Sequence, residues 1–216
     1  MNWARLVLIA AIVAGTTYVG SWFLALPHPA AVAWKGAGVA LLAVYAALAA
    51  RGSARPLIAA VMAFGALGDV LLETHGLIVG ALAFLAGHLT AIWLYLSQRR
   101  AGPTAADWAV AGALIPLITV TAFLLPPDRA GAPGIAFYAL GLSAMAASAW
   151  LSRFPRTLTA AGALMFAVSD LLIFLRTGRR ELDGFPMGLA VWGLYFAGQT
   201  MIALGVVRGG ASARKT

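Results

Sequence analysis

The chain has 216 residues, of which 62% are apolar and only 10% charged, less than half the roughly 25% charged residues of a soluble domain. Its mean hydropathy is +0.90, and no polar stretch approaches the roughly 50 residues of the smallest ordinary domain, so the composition excludes a soluble enzyme and any sizeable domain outside the bilayer. The formal charge of +8 is carried by cations that fall singly or in pairs between apolar runs, a pattern of topology signals and membrane-lipid contact that excludes a nucleic-acid-binding surface.

Apolar runs bounded by Pro, Gly and Arg predict an all-α, polytopic bundle of eight membrane-spanning helices forming one domain over residues 1–216. In chain order the spans are 6–24, 31–50, 56–73 and 77–96, then 108–125, 135–151, 158–175 and 187–207. The first is longer than the roughly 7–15 residues of a signal-peptide apolar region and reads as a span. Eight prolines, from Pro27 to Pro186, lie between runs or at their ends, where helices tolerate them. The tail from Gly209 to Thr216 reads as a short, disordered basic end.

Eight spans put Arg5, Arg51, Arg55, Arg99, Arg100, Arg153, Arg156, Arg208, Arg214 and Lys215 on one side, and Arg129, Arg176, Arg179 and Arg180 on the other. By the positive-inside rule both termini are cytoplasmic, and a bacterial inner membrane is the expected location. Only Lys35 is left inside a helix.

Chemistry must come from the polar side chains within the spans, which are costly there and face the bundle interior. Asp69 lies 13 residues after Pro56 and Asp170 13 after Thr157, both on outward-running helices, about 20 Å from the cytoplasmic edge. Lys35 enters from the opposite face and comes level with both. Tyr138 enters at a similar depth, while His88, Tyr195 and Gln199 lie deeper, the last two on one helical face at i, i+4. The expected result is a polar cavity open outward and floored near the midplane. Asp69 has a structural reading as the salt-bridge partner of Lys35, but one cation cannot neutralise two buried acids, so one carboxyl is protonated or the pair shares a proton. Glu73 and His75 read as rim groups reaching water.

Other site chemistries fail. Without Cys there is no disulfide, thiolate metal site or thiol nucleophile. Only His88 among three histidines is intramembrane and no two stand at i, i+4, which disfavours a zinc hydrolase and leaves a metal site possible only as carboxylates with a single His; none is assigned. Gly141-Leu142-Ser143-Ala144-Met145 lacks the final Gly of a nucleophile elbow. Ala66 to Leu72 echoes Ala167 to Ile173, with the aspartates 101 residues apart, which suggests two four-helix halves in the same orientation.

The segments Phe64 to Leu72 around Asp69, Phe84-Leu85-Ala86-Gly87-His88, the later Tyr95, Leu164 to Asp170, and Tyr195-Phe196-Ala197-Gly198-Gln199 together resemble the YhhN-like lysoplasmalogenase family. Lys35 matches the family's lysine near the start of the second helix, although Gly36 stands where the family has proline. The resemblance implies a membrane ether hydrolase that cleaves the vinyl ether of lysoplasmalogens with a choline or ethanolamine head, without a cofactor, taking a lysophospholipid from the membrane lipids. Asp69 and Asp170 are the implied catalytic pair. Lys35, His88, Tyr138, Tyr195 and Gln199 would bind substrate or orient water. Two other readings share the paired aspartates. An intramembrane aspartyl protease carries Gly-x-Gly-Asp, but here the glycines of Gly65-Ala66-Leu67-Gly68-Asp69 are one residue too far apart. A proton-coupled transporter or lipid-binding protein would favour inverted rather than parallel halves.

Overall fold

The computed structural model describes residues 3–212, so Arg214 and Lys215 of the charge count lie outside it. The order is α1 (Trp3–Thr17), a 3-10 segment (Tyr18–Phe23), α2 (His28–Ala49), α3 (Ala54–Thr74) and α4 (Leu77–Ser97). Then follow α5 (Ala105–Leu124), α6 (Ala132–Leu151), α7 (Thr159–Arg176), a 3-10 turn (Arg180–Leu182) and α8 (Phe185–Ser212). Among the described residues eight helices are long and apolar enough to cross a membrane, the expected architecture. Ile78, Trp93, Leu117 and Phe137 are among the large apolar side chains exposed on the outside, a surface suited to hydrocarbon.

Short connections make most sequential helices antiparallel neighbours, the exception being α4, which packs against α6 and not against α5. Gln98 ties three connections together at one end. Its side chain donates to Ser53 Oγ at 3.2 Å and accepts from Arg153 Nε at 2.6 Å, while its carbonyl accepts from Arg153 N at 2.8 Å. Both ends of the described chain fall at this end of the bundle, and the α1–α2, α3–α4, α5–α6 and α7–α8 connections at the other. The interior is rich in small residues, as membrane helices require for close approach. Where α7 crosses α8, a Cβ on Gly162 would stand 2.6 Å from the Gly198 carbonyl, and one on Gly198 2.7 Å from that of Gly162.

Most boundaries differ from the sequence reading by a few residues, and three have an identifiable cause. The first span runs to Phe23, close to the expected residue 24, but leaves α-helical form after Thr17 and finishes as the 3-10 segment. Thr16 and Thr17 donate their hydroxyls back to Ile12 and Val13 carbonyls at 2.7 and 2.6 Å, and this back-bonding with Gly20 beyond it weakens the helix. The carbonyls of Ala14 and Gly15 there accept the indole N–H groups of Trp34 at 3.2 Å and Trp192 at 2.8 Å. α5 starts three residues before Trp108, because Thr104 and Asp107 form a reciprocal N-terminal cap and Asp107 also accepts from Arg156 at 2.5 Å. Pro116 lies inside it, at the loss of one helical hydrogen bond that a packed membrane helix tolerates. α8 continues to Ser212, so Gly209 belongs to a helix packed on Phe154 and not to a loose tail.

Candidate active site

The end of the bundle away from the described chain ends contains a cavity of about 460 Å³, within the usual range for small-molecule sites. Its polar lining is Lys35 from α2, Asp69 and Glu73 from α3, Ser169, Asp170 and Arg176 from α7, and Tyr195 from α8. Its apolar wall is Tyr18, Trp22 and Phe23 from the 3-10 segment with Phe185 and Trp192 from α8. The break in the first span therefore shapes the site, since it turns Tyr18 onto Trp192 with ring centroids 4.5 Å apart.

Both aspartates are buried, and each accepts one phenolic hydroxyl. Tyr195 donates to Asp69 Oδ2 at 2.8 Å, and Tyr138 of α6 donates to Asp170 Oδ2 at 2.6 Å. Tyr138 in turn meets His88 Nε2 of α4 at 3.0 Å, so a chain of two groups backs one carboxylate and a single tyrosine backs the other. Among the described residues no protein group bonds the other oxygen of either aspartate. Next to Asp170, Ser169 donates to the Val191 carbonyl at 2.9 Å and locks α7 to α8 at this level. Two carboxylates that line one cavity, each held by a tyrosine hydroxyl, can divide the tasks of giving and taking a proton.

The floor is aromatic. Phe84 packs edge-on against Phe166 and Tyr195, with centroids 5.9 and 5.8 Å away, and Gly68 leaves it room, because a Cβ there would stand 2.8 Å from the Phe84 ring. Below this floor lies a void of about 10 Å³ lined by His88, Tyr95 and Gln199 among others. Of the seven residues singled out from the sequence, then, Asp69, Asp170, Lys35 and Tyr195 line the main cavity. Tyr138 sits behind Asp170, while His88 and Gln199 lie beneath the floor.

Lys35 does not bond Asp69. Its ammonium pairs with Glu73 at 2.5 Å, so the salt-bridge reading of Asp69 is corrected: Glu73, one turn nearer the cavity mouth, takes the cation. Glu73 is at the rim as expected, but it lines the site. Among the described residues the His75 ring bonds its neighbour Thr74 in the helix cap, at 2.8 Å, and does not line the cavity. Arg176, read from the sequence as a topology cation, is half-buried and also lines the cavity. A signal for both was present: opposite charges at the same ends of helices whose interiors carry the aspartates.

Residues 30–206 match the YhhN family. The chain is similar to the lysoplasmalogenases of Mycobacterium bovis and Mycobacterium tuberculosis, 31% identical to each over 185 residues, which is 80% of this chain and 69% of each relative. No solved structure matches it. The family match takes in every polar residue of the cavity from Lys35 to Tyr195, leaving only the aromatic wall of the 3-10 segment outside it, and the chain belongs to the YhhN family.

Proposed function

We propose that this chain is a lysoplasmalogenase-like ether hydrolase that cleaves the vinyl ether of an alkenyl lysophospholipid to a fatty aldehyde and a glycerophospho-alcohol. The observation that carries the reading is the pair of buried carboxylates, Asp69 and Asp170, each held by a tyrosine hydroxyl and both facing one cavity. The name borne by the two mycobacterial relatives agrees with it.

The chemistry needs no cofactor. One aspartic acid protonates the alkenyl carbon remote from oxygen, and the π electrons that form the new C–H bond leave an oxocarbenium ion. The other aspartate stabilises this cation and takes a proton from water as the water oxygen bonds to the cationic carbon, a division of labour shared by other oxocarbenium-like hydrolyses. The hemiacetal then collapses. The second aspartic acid returns its proton to the departing glycerol oxygen, the first aspartate takes the hemiacetal hydroxyl proton, and both groups are reset with one water consumed. Tyr195 and Lys35 meet the substrate from the cavity wall, and Tyr138, His88 and Gln199 support the reacting groups from behind. The aromatic wall suits the alkenyl chain. The loop cations support an inner-membrane protein with cytoplasmic termini and a cavity facing the outer leaflet.

Aldehyde release by detergent-purified protein in heavy water tests this reading. An alkenyl lysophospholipid should yield aldehyde carrying one deuterium on the carbon next to the carbonyl, and an acyl lysophospholipid should yield none. Silence with the alkenyl substrate, or aldehyde without deuterium, would overturn it.

A further inference from the structure

We propose that the void beneath the aromatic floor binds one water molecule, shared by Tyr95, His88 and Gln199, and that Tyr95 is thereby a positioning residue for Asp170. The positioning role rests on the hydrolase reading, whereas the water site does not. The void measures about 10 Å³, at the lower limit of the roughly 10–15 Å³ that accommodates a water. It lies where α3, α4, α6, α7 and α8 meet, and its wall is apolar except for these three side chains. All three are withdrawn from solvent, with Tyr95 at 0%, Gln199 at 3% and His88 at 4% exposure. A buried water is held by several polar partners, and here three converge on a space of its size.

Each group has a role open to a water. Among the described residues no protein atom bonds the Tyr95 hydroxyl, and a hydroxyl buried without a partner is costly. Tyr95 stands seven residues after His88 on the same face of α4. Long helical side chains lean toward the N-terminus, which carries its hydroxyl toward the imidazole. The state of that ring follows from the groups behind Asp170. Tyr138 has one hydroxyl hydrogen and gives it to Asp170, so its contact with His88 must use a hydrogen on Nε2. In the neutral ring Nδ1 is then an acceptor. The Gln199 amide reaches the void beside Gly65, where a Cβ would stand 2.6 Å from its Nε2. A water that takes the Tyr95 hydrogen and gives its own to His88 Nδ1 and the Gln199 carbonyl satisfies all three. It also fixes the tautomer. With Nε2 protonated, His88 leaves the Tyr138 hydrogen on Asp170, whereas the other tautomer would compete for that hydrogen as an acceptor.

Tyr95→Phe tests both parts, because it keeps the ring that packs edge-on against Phe154 and deletes only the hydroxyl. With water bound, the variant should unfold about 2–4 °C below the wild type in detergent, the shift of about one net hydrogen bond in a chain of this size. A dry void predicts the opposite, since the variant then sheds a buried hydroxyl without a partner. An unchanged or raised unfolding temperature would therefore overturn the site. The ring is read by nitrogen NMR of isotope-labelled protein, with the exposed His28 and His75 replaced by Gln so that His88 is the one histidine left. The hydrogen should sit on Nε2, magnetisation should pass from water to the ring, and Tyr95→Phe should shift the Nδ1 signal. A hydrogen on Nδ1, no transfer from water or an unmoved Nδ1 signal would each overturn the site as well. Aldehyde-release kinetics test the positioning role: Tyr95→Phe should lower kcat about two- to fivefold at unchanged KM, and this loss should disappear in a Tyr138→Phe background. An equal loss in both backgrounds, or none in either, would end the positioning role. No aldehyde from the wild type, with the unfolding and NMR results as predicted, would refute the hydrolase and leave the water site standing.

Discussion

Tyr195 and Tyr138 reach the two carboxylates from different helices, and the hydroxyl of each is separable from its ring. The Tyr195 ring packs on Phe166 and Trp192 with centroids 5.2 and 5.5 Å away, so Tyr195→Phe keeps the packing and deletes the bond to Asp69 with the longer, 3.4 Å one to the Gly65 carbonyl. Aldehyde-release kinetics should show kcat down about tenfold, near one net hydrogen bond in the transition state, with KM held within about twofold. Tyr138→Phe should do the same through Asp170, and because His88 acts only through Tyr138, adding His88→Ala to it should cost less than His88→Ala alone. The aspartates were legible in the sequence because a carboxylate within a span stands out by cost alone. The partners were not. Depth can be counted along a helix, which brought Lys35 level with Asp69, but the direction a side chain faces depends on neighbouring helices, and that direction gives Lys35 to Glu73 and puts His88 and Gln199 beneath the Phe84 floor.

The helices were readable as runs of about 20 apolar residues, while their ends depended on side-chain chemistry that hydropathy does not register. The Thr104 and Asp107 cap and the threonine back-bonding in α1 are of this kind. The crossing of α7 and α8 governs the site, since α7 carries Asp170 and α8 carries Tyr195. A methyl group on Gly162 meets backbone, so Gly162→Ala should force the helices apart and destabilise the protein by about 1–3 kcal/mol. At Gly112 of α5 a Cβ meets nothing within 4 Å, and Gly112→Ala should be neutral or stabilising by up to about 1 kcal/mol. Thermal unfolding of the two variants in detergent should move in opposite directions, or in one direction only for Gly162→Ala.

For the molecule as a whole, eight antiparallel passes bring the aspartates of the third and seventh helices to one cavity, although the surroundings of the two are unlike. α2 packs along α3, whereas α6 lies more against α4 than against α7, so whatever repeat the sequence echo reflects, the two carboxylates are supported differently. The absence of Cys makes the expected orientation directly measurable: in intact cells an impermeant thiol reagent should label Asp128→Cys in the α5–α6 connection, and should reach Ser53→Cys in the α2–α3 connection only after permeabilisation. The proposed hydrolysis requires both carboxylates. Its most direct measurement is aldehyde release from an alkenyl lysophospholipid by Asp69→Asn and Asp170→Asn, in which the amide oxygen still accepts the tyrosine hydroxyl and only the exchangeable acid is lost. Each variant should lose at least about 100-fold in kcat, the lower bound for a positioned general acid or base, while unfolding at the wild-type temperature; a folded variant of either kind that turns over at the wild-type rate would contradict the account.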